Sequence, residues 1–464
     1  MSIAAETIER MPVGPAHRRM FWLLGAGMFI DAFELVMQSG VAAAMVHVKF
    51  TTNAGIAQFI FATFMGLAIG SAVSGALADR FGRRTLYQFN LLLFGAATLA
   101  TSVAPSFPLV VLLRFAAGIG LGGELVVGYA IMSEMTPSSC RGRWGVILAL
   151  LVNCAQPISA FVGAYFLPLA GWRWMFVIGA VPAFAVWYIR RTLPESPRWL
   201  ERQGRIGEMR EVLDGLWREN TGEAVAPTIL APVDTGAEKG LPWIALFSSQ
   251  RVGRTLFCFA IIVMILSAQF GFLAWVPTLL LQHGHTIVHS LVYSAAMALG
   301  APIGGLIPML LIDRIGRRAV VSIAAFGASA VGMGYAFALD GSPFLLVTAG
   351  FFEIFFVQIT AASVLAVYLP ELFPTDIRGT GFGTSLGIGR VAAALMPYLV
   401  LAVLDHFGVF AVFIMLASIT LALSLLVLAV GPETSRKTLE EVEQERLTGT
   451  GSLPNVSIEK NGSR

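Results

Sequence analysis

Asp79-Arg80-Phe81-Gly82-Arg83-Arg84 and Asp313-Arg314-Ile315-Gly316-Arg317-Arg318 are nearly the same six residues, 234 positions apart. Each is a short basic turn between two long apolar segments. Two further pairs keep the spacing. Glu134…Arg141-Gly142 returns 237 residues on as Glu371…Arg378-Gly379, and Pro194-Glu195-Ser196 returns 238 residues on as Pro432-Glu433-Thr434. Three markers in one order at a near-constant offset signal an internal duplication, with a period far too long for a solenoid unit. The chain reads as two similar halves.

Composition places those halves in a membrane. Hydrophobic residues make up 56% of the chain and charged residues 13%, about half the usual charged share of a soluble chain. A formal net charge of +3 is too small to suggest nucleic acid. Cys140, Cys154 and Cys258 are isolated thiols, read as packing residues and not as a disulfide or metal framework. The N-terminus is polar, and its first apolar run is too long for a signal-peptide core.

A spanning helix needs about 20 mostly apolar residues. Twelve such runs are expected, near 19–46, 54–77, 86–104, 107–133, 144–168, 172–190, 254–281, 287–311, 319–339, 343–369, 379–404 and 407–430. The fold class is thus all-α, with twelve transmembrane helices in two pseudo-symmetric six-helix bundles. The expected divisions are an N-terminal segment 1–18, a first bundle 19–190, a linker 191–253, a second bundle 254–430 and a tail 431–464. The linker contains a charged amphipathic stretch with Met209, Leu213, Leu216 and Trp217 on one stripe. Lys and Arg gather in alternate loops: Arg10, Arg18 and Arg19, the two basic turns, Arg141 and Arg143, and Arg378. By the positive-inside rule both termini are cytoplasmic. The opposite loops hold Lys49, Arg173, His283, His285 and His289; the three histidines are weighed as a metal site against plain solvation, and no metal or other cofactor is expected.

Six charges fall inside spans: Asp31, Glu34, Arg114, Glu124, Glu353 and Arg390. Each costs about 2.5–3.5 kcal/mol to insert, which makes each a functional candidate. Asp31 and Glu34 share a helix face, and two carboxylates so close resist joint ionisation. That is what proton coupling requires; the plainer reading is that one of them pairs with Arg114 to hold helices together. Counted at 1.5 Å per residue, Glu34 lies about 18 Å and Arg114 about 10 Å below the outer ends of their spans, a gap long side chains close. Glu124 ends Gly118-Ile119-Gly120-Leu121-Gly122-Gly123, glycines that suit close helix approach and not a nucleotide loop; it is a second proton site or a structural partner. Arg390 has no acid within a helical turn. Its planar fork suits a carboxylate, from Glu353 or from a bound anion. Asn153, Gln156, Gln269, Phe272, Trp275, Phe355 and Gln358 are candidate walls of a substrate site.

With these residues in view, the chain resembles the major facilitator superfamily. Gly75-x-x-x-Asp79-Arg80-x-Gly82-Arg83-Arg84 matches its signature, with Met309 replacing the leading glycine of the second copy. Pro194-Glu195-Ser196-Pro197-Arg198-Trp199-Leu200 and Pro432-Glu433-Thr434-Ser435 resemble its sugar-porter and organic-ion branches. Asp31-Ala32-Phe33-Glu34 is similar to a first-helix element of aromatic-acid:proton symporters. Glu34 and Arg114 match the proton-switch positions of sugar:proton symporters, and the sequence around Arg390 resembles a segment of animal organic-anion transporters. The resemblance implies a central cavity opened alternately to either side. It also implies a cytoplasmic gate of Asp79, Arg80, Arg83, Arg84, Glu134, Arg141, Arg143, Asp313, Arg314, Arg317, Arg318, Glu371 and Arg378.

The expected function is a monomeric, proton-coupled secondary transporter in the bacterial inner membrane, not an enzyme. Its expected cargo is a small aromatic or heterocyclic carboxylate such as nicotinate, the cargo of the bacterial niacin transporters within that branch. Asp31, Glu34, Arg114 and Glu124 would couple the proton, and Arg390 would bind the anion. The alternatives are a sugar or polyol symporter and a non-transporting nutrient sensor.

Overall fold

A computed structural model describes residues 3–223, 246–249, 251–373 and 377–434, with side chains at 76, 138–143, 146, 313, 378 and 379 left outside the description. The described chain is helical and contains no strand. After a short N-terminal helix α1 (Ile3–Arg10), six long helices make the first half: α2 (Pro15–His47), α3 (Asn53–Phe81), α4 (Arg83–Ser102), α5 (Phe107–Met135), α6 (Ser138–Ala170) and α7 (Trp172–Ile189). A 3-10 turn, Arg190–Thr192, leads to α8 (Pro197–Arg202) and α9 (Ile206–Thr221). The second half comprises α10 (Val252–Gln282), α11 (Ile287–Ala298), α12 (Gly300–Ile315), α13 (Arg317–Ala338), α14 (Pro343–Ser363), a π turn Val364–Tyr368 with α15 (Leu369–Glu371), and α16 (Arg378–Val430).

Ten of the described helical stretches are long and apolar enough to cross a membrane. Twelve crossings follow from two further observations. The 53-residue α16 turns back at Gly408 (φ 79°) and so supplies two. The 20-residue α4, more polar than the others, spans the gap between α3 and α5.

Sequence explains where the helices stop and how closely they pack. Gly82 (φ 97°) and Gly316 (φ 95°) hold the tight corners of the two basic turns, in a left-handed region that a side chain would strain. The glycine run in α5 brings backbones together. A Cβ on Gly118 or Gly122 would strike the carbonyl oxygens of Thr63 and Leu67 in α3, and one on Gly120 would strike Asn90 in α4. The second half repeats the device, with Gly300 and Gly304 seated on the backbone of Phe351 and Phe355 in α14. Such small-residue contacts replace the hydrophobic drive that lipid cannot supply.

Aromatic contacts join the halves away from the basic turns: Phe64 meets Phe270 (ring centroids 4.6 Å) and Phe61 meets Tyr398 (5.4 Å). The ion pairs of the basic turns, Arg83–Asp79, Arg83–Glu134 and Arg317–Glu371, each lie within one half. Outside the spans, α9 buries Met209, Leu213 and Leu216 against Ile3, Ala4 and Ile8 of α1 and Trp199 and Leu200 of α8.

Candidate functional site

Among the described residues, two ion pairs of the first half have both partners within 1% of full burial. The guanidinium of Arg114 in α5 bonds the Glu34 carboxylate in α2. Its other arm donates to Thr98 Oγ1 at 2.8 Å, and it lies 4.8 Å from the centre of the Phe176 ring. Gly179 in α7 leaves the room: a Cβ there would come 2.5 Å from Glu34 Oε2. Glu34 and Arg114 are thus brought together, with at most 1% of either exposed.

Glu124 bonds Arg190, not Arg114, at 2.6 Å. Arg190 also donates from Nε to the Leu23 carbonyl at 2.8 Å and from Nη2 to the Leu24 carbonyl at 3.3 Å, and stacks 4.1 Å over Tyr87. It is fully buried. Sequence reasoning missed this residue because it stands at the very end of the sixth apolar run, where a basic side chain reads as an orientation marker. Asp31 lies near this pair, with both carboxylate oxygens buried and without a hydrogen-bond partner.

Between the halves runs a chain of amides. Gln269 Nε2 donates to Gln358 Oε1 at 3.2 Å, Gln358 Nε2 to Asn153 Oδ1 at 3.0 Å, and Gln156 Nε2 to the same Asn153 oxygen at 3.4 Å. Asn153 and Gln156 come from α6 in the first half, Gln269 and Gln358 from α10 and α14 in the second. Gln156, Gln269, Phe272, Leu273, Ile354, Val357 and Gln358 line a small pocket, too tight in this conformation to enclose a sugar or an aromatic acid. Of the other expected wall residues, Trp275 is sealed in the core. Phe355 stacks on Phe351 (6.4 Å) and packs toward Ile312, Val320 and Ala324.

Glu353 and Arg390 are not paired with each other. Glu353 faces Gly332, and its Oε2 has no partner. Arg390 Nη1 is buried without a partner, and among the described residues no carboxylate makes an ion pair with it. Its neighbour Gly389 abuts Ile262 and Leu266, one turn of α10 before Gln269. Arg390 itself does not line the pocket.

The two basic turns are built alike. Arg83 bonds Asp79 (2.6 Å) and Glu134 (3.2 Å); Arg317 bonds Glu371 (3.2 Å). Glu195 accepts the N–H groups of Arg83 and Arg84 (2.9 and 3.1 Å), capping α4, and Glu433 does the same for Arg317 and Arg318 (3.0 and 3.2 Å), capping α13. Ser196 and Thr434 donate to Glu134 and Glu371 at 2.5 and 2.6 Å. A carboxylate placed at a helix N-terminus meets both free donors and the positive end of the dipole. Arg80 and Arg314 are exposed. The side chains of Arg141, Arg143, Asp313 and Arg378 lie outside the described residues.

Among the described residues no three His, Cys, Asp or Glu side chains stand close enough to hold a metal. His283 bonds Asp340 (3.1 Å), while His285 and His289 pack against Tyr293. Burial, then the neighbouring His283 and His289, pulls the His285 pKa below its ordinary value.

Comparison with known proteins gives a consistent picture. Residues 28–445 match the family described as "Sugar (and other) transporter". The chain is 31% identical over 437 residues to the niacin transporter NiaP of Acinetobacter baylyi, covering 94% of this chain and 98% of that one. It is 29% identical over 446 residues to the inner membrane metabolite transport protein YdjE of Escherichia coli, covering 94% and 97%. The fold matches the inward open conformation of the E. coli xylose transporter XylE at a TM-score of 0.73 and 19% identity, covering 92% of this chain and 99% of that one. Family and relatives are transporters, not enzymes. The chain therefore belongs to the sugar (and other) transporter family of the major facilitator superfamily.

Proposed function

We propose that this transporter imports a small aromatic or heterocyclic carboxylate, nicotinate first among them, together with a proton across the bacterial inner membrane. The observation that carries the reading is Arg390: a buried guanidinium with no carboxylate partner among the described residues. A buried charge demands a counter-charge, and a planar fork takes a carboxylate bidentately. The relative named as a niacin transporter in A. baylyi supports the same cargo; the Bacillus subtilis relative is named for niacin and nicotinamide, of which only the first is a carboxylate.

Glu34 and Arg114 serve as the proton switch. Ionised, they form a neutral pair within the first half. A proton on Glu34 weakens that pair, frees Arg114, and biases the balance between two arrangements of the halves. With one proton per monoanion no net charge crosses, and the pH gradient alone drives uptake at about 1.4 kcal/mol per unit. The halves, 19–190 and 254–430, rock about the amide chain, with both termini cytoplasmic and the basic turns at the cytoplasmic gate. The aromatic contacts Phe64–Phe270 and Phe61–Tyr398 then close the outer side in the arrangement seen here.

The amide chain favours a second reading, a sugar or polyol symporter, because Asn and Gln offer hydroxyl groups both donors and acceptors. A thermal-shift screen of the purified protein with nicotinate, benzoate, xylose and a quaternary amine separates the two. At 100 times its Kd a true ligand adds about 2.7 kcal/mol of stability. Stabilisation by nicotinate or benzoate alone supports the anion reading. Stabilisation by xylose alone supports the sugar reading, and by amines alone defeats both.

A further inference from the structure

Apart from Arg83, which is paired with Asp79 and Glu134 at the basic turn, the described buried charges of the first half do not balance. Asp31, Glu34 and Glu124 are three carboxyl groups, each no more than 1% exposed; Arg114 and Arg190 are the two guanidiniums that face them, both fully buried. Were all five ionised, this buried cluster would hold one net negative charge, which burial opposes strongly. One proton restores neutrality. The hydrogen bonds show which acid holds it. Glu34 has Arg114, Glu124 has Arg190, and Asp31 receives no donor on either oxygen.

The surroundings of Asp31 are specific. Its electrostatic neighbours are Glu124 from α5, Arg190 from the turn after α7, and Glu34 from its own helix. Tyr87 of α4 closes the space under Arg190. Among the described residues, no titratable group of α6 or α10 figures among those neighbours. Gly27, one turn before Asp31 on α2, leaves the space the ion pair needs: a Cβ there would overlap Arg190 Nη2 and Glu124 Oε1. Glu124 Oε2 has no partner either. One guanidinium thus serves two carboxyl groups and engages only one of them.

We propose that Asp31, Glu124 and Arg190 form a second proton-holding site, separate from Glu34–Arg114, in which Arg190 is the positioning residue that decides which acid is ionised. With Arg190 on Glu124, Asp31 holds the proton. When Arg190 turns to Asp31, the Asp31 O–H bond breaks, the pair Asp31–Arg190 forms, and the proton passes to Glu124, which has lost its partner, so the site stays neutral. Arg190 is followed within five residues by Glu195, the cap of α4, so its turn lies beside the basic-turn network. The role of this site in transport rests on the proton-coupled reading above. With a proton passed through each site, a monoanion crosses with net positive charge and uptake generates current.

The site itself is testable without any substrate. A protonated carboxyl group has a C=O stretching band in the infrared that a carboxylate lacks. Because Glu353 is another buried acid without a partner on Oε2, spectra are taken on the full-length protein in lipid with Glu353→Gln as the background, at about pH 7–8. The expected result is one carboxylic-acid band. It disappears in Asp31→Asn, and also in Glu124→Gln, where Arg190 is released to ionise Asp31. It persists in Arg190→Lys and grows about twofold in Arg190→Gln, where Glu124 takes up a proton as well. A merely structural Glu124–Arg190 pair, without control over Asp31, would lose the band in Asp31→Asn but keep it in Glu124→Gln. Absence of the band in the background protein, or its survival in the folded Asp31→Asn or Glu124→Gln variant, overturns the proposal. Failure of nicotinate to bind or move would sink the cargo assignment and leave this result standing.

Discussion

Replacing Arg114 by methionine isolates what the Glu34–Arg114 pair contributes. The substitution keeps an unbranched apolar side chain but strips Glu34 of its ion-pair partner and Thr98 Oγ1 of its donor. Breaking a buried pair from one side costs about 3–5 kcal/mol, because a charge is left without compensation. If the six-helix unit of α2–α7, Pro15–Ile189, unfolds together, its unfolding entropy is about 0.37 kcal/mol/K at 2.1 cal/mol/K per residue. The expected fall in Tm is therefore roughly 8–13 °C. Glu34→Leu alone strands Arg114 and costs a similar amount. The double variant puts two apolar side chains where the pair was, and replacing a whole buried pair is close to neutral. Its Tm should return to within about 3 °C of the parent. The assay is thermal unfolding of purified protein in one detergent, run as a double-mutant cycle. Additive losses, with the double variant the least stable of the four, would refute the claim that the two side chains act as one neutral unit.

Other consequences follow from the same geometry. Gly27→Ala and Gly179→Ala push a methyl group into the Glu124–Arg190 pair and onto Glu34, so each lowers Tm more than Gly75→Ala, whose Cβ meets nothing within 4 Å; equal effects would contradict the packing. Glu195→Ala removes the cap from α4 and Glu433→Ala the cap from α13, each expected to cost about 1–2 kcal/mol in unfolding measurements, with Glu195→Gln recovering part of it. Burial, then the neighbouring His283 and His289, lowers the pKa of His285. Because its folded pKa is depressed, its contribution is present above the unfolded value of about 6.5 and fades as pH falls through the folded one. His285→Gln should flatten the stability–pH curve on the acid side, and an unchanged curve would remove His285 as its cause.

Much of the architecture was legible because lipid enforces long apolar runs and basic loops carry the duplication. The ends were less so. The third run was expected from residue 86, yet α4 starts at Arg83, because Gly82 turns the chain and Glu195 caps the new helix from 112 residues away. No local pattern shows that cap, although Pro194-Glu195-Ser196 and its partner near Glu433 were visible as repeats. The buried charges stood out one by one. Their pairing did not, since Arg190 sits at a span end and only the fold brings it to Glu124. The amides Asn153, Gln156, Gln269 and Phe272's neighbour Gln358 were recognisable by polarity inside apolar runs, whereas their connection across the halves depends on tertiary contact. Aromatic content says nothing about facing, which is why Trp275 and Phe355 were nominated as walls and lie in packed layers instead.

The proposed cargo rests on Arg390, so the most direct measurement is uptake of labelled nicotinate into proteoliposomes under an imposed pH gradient, acid outside. The account predicts concentrative uptake by the parent protein that collapses when the gradient is dissipated. It predicts loss of at least tenfold in uptake for Arg390→Gln, with partial recovery in Arg390→Lys. Uptake undiminished in Arg390→Gln, or accumulation of xylose but not nicotinate by the parent protein, would contradict it.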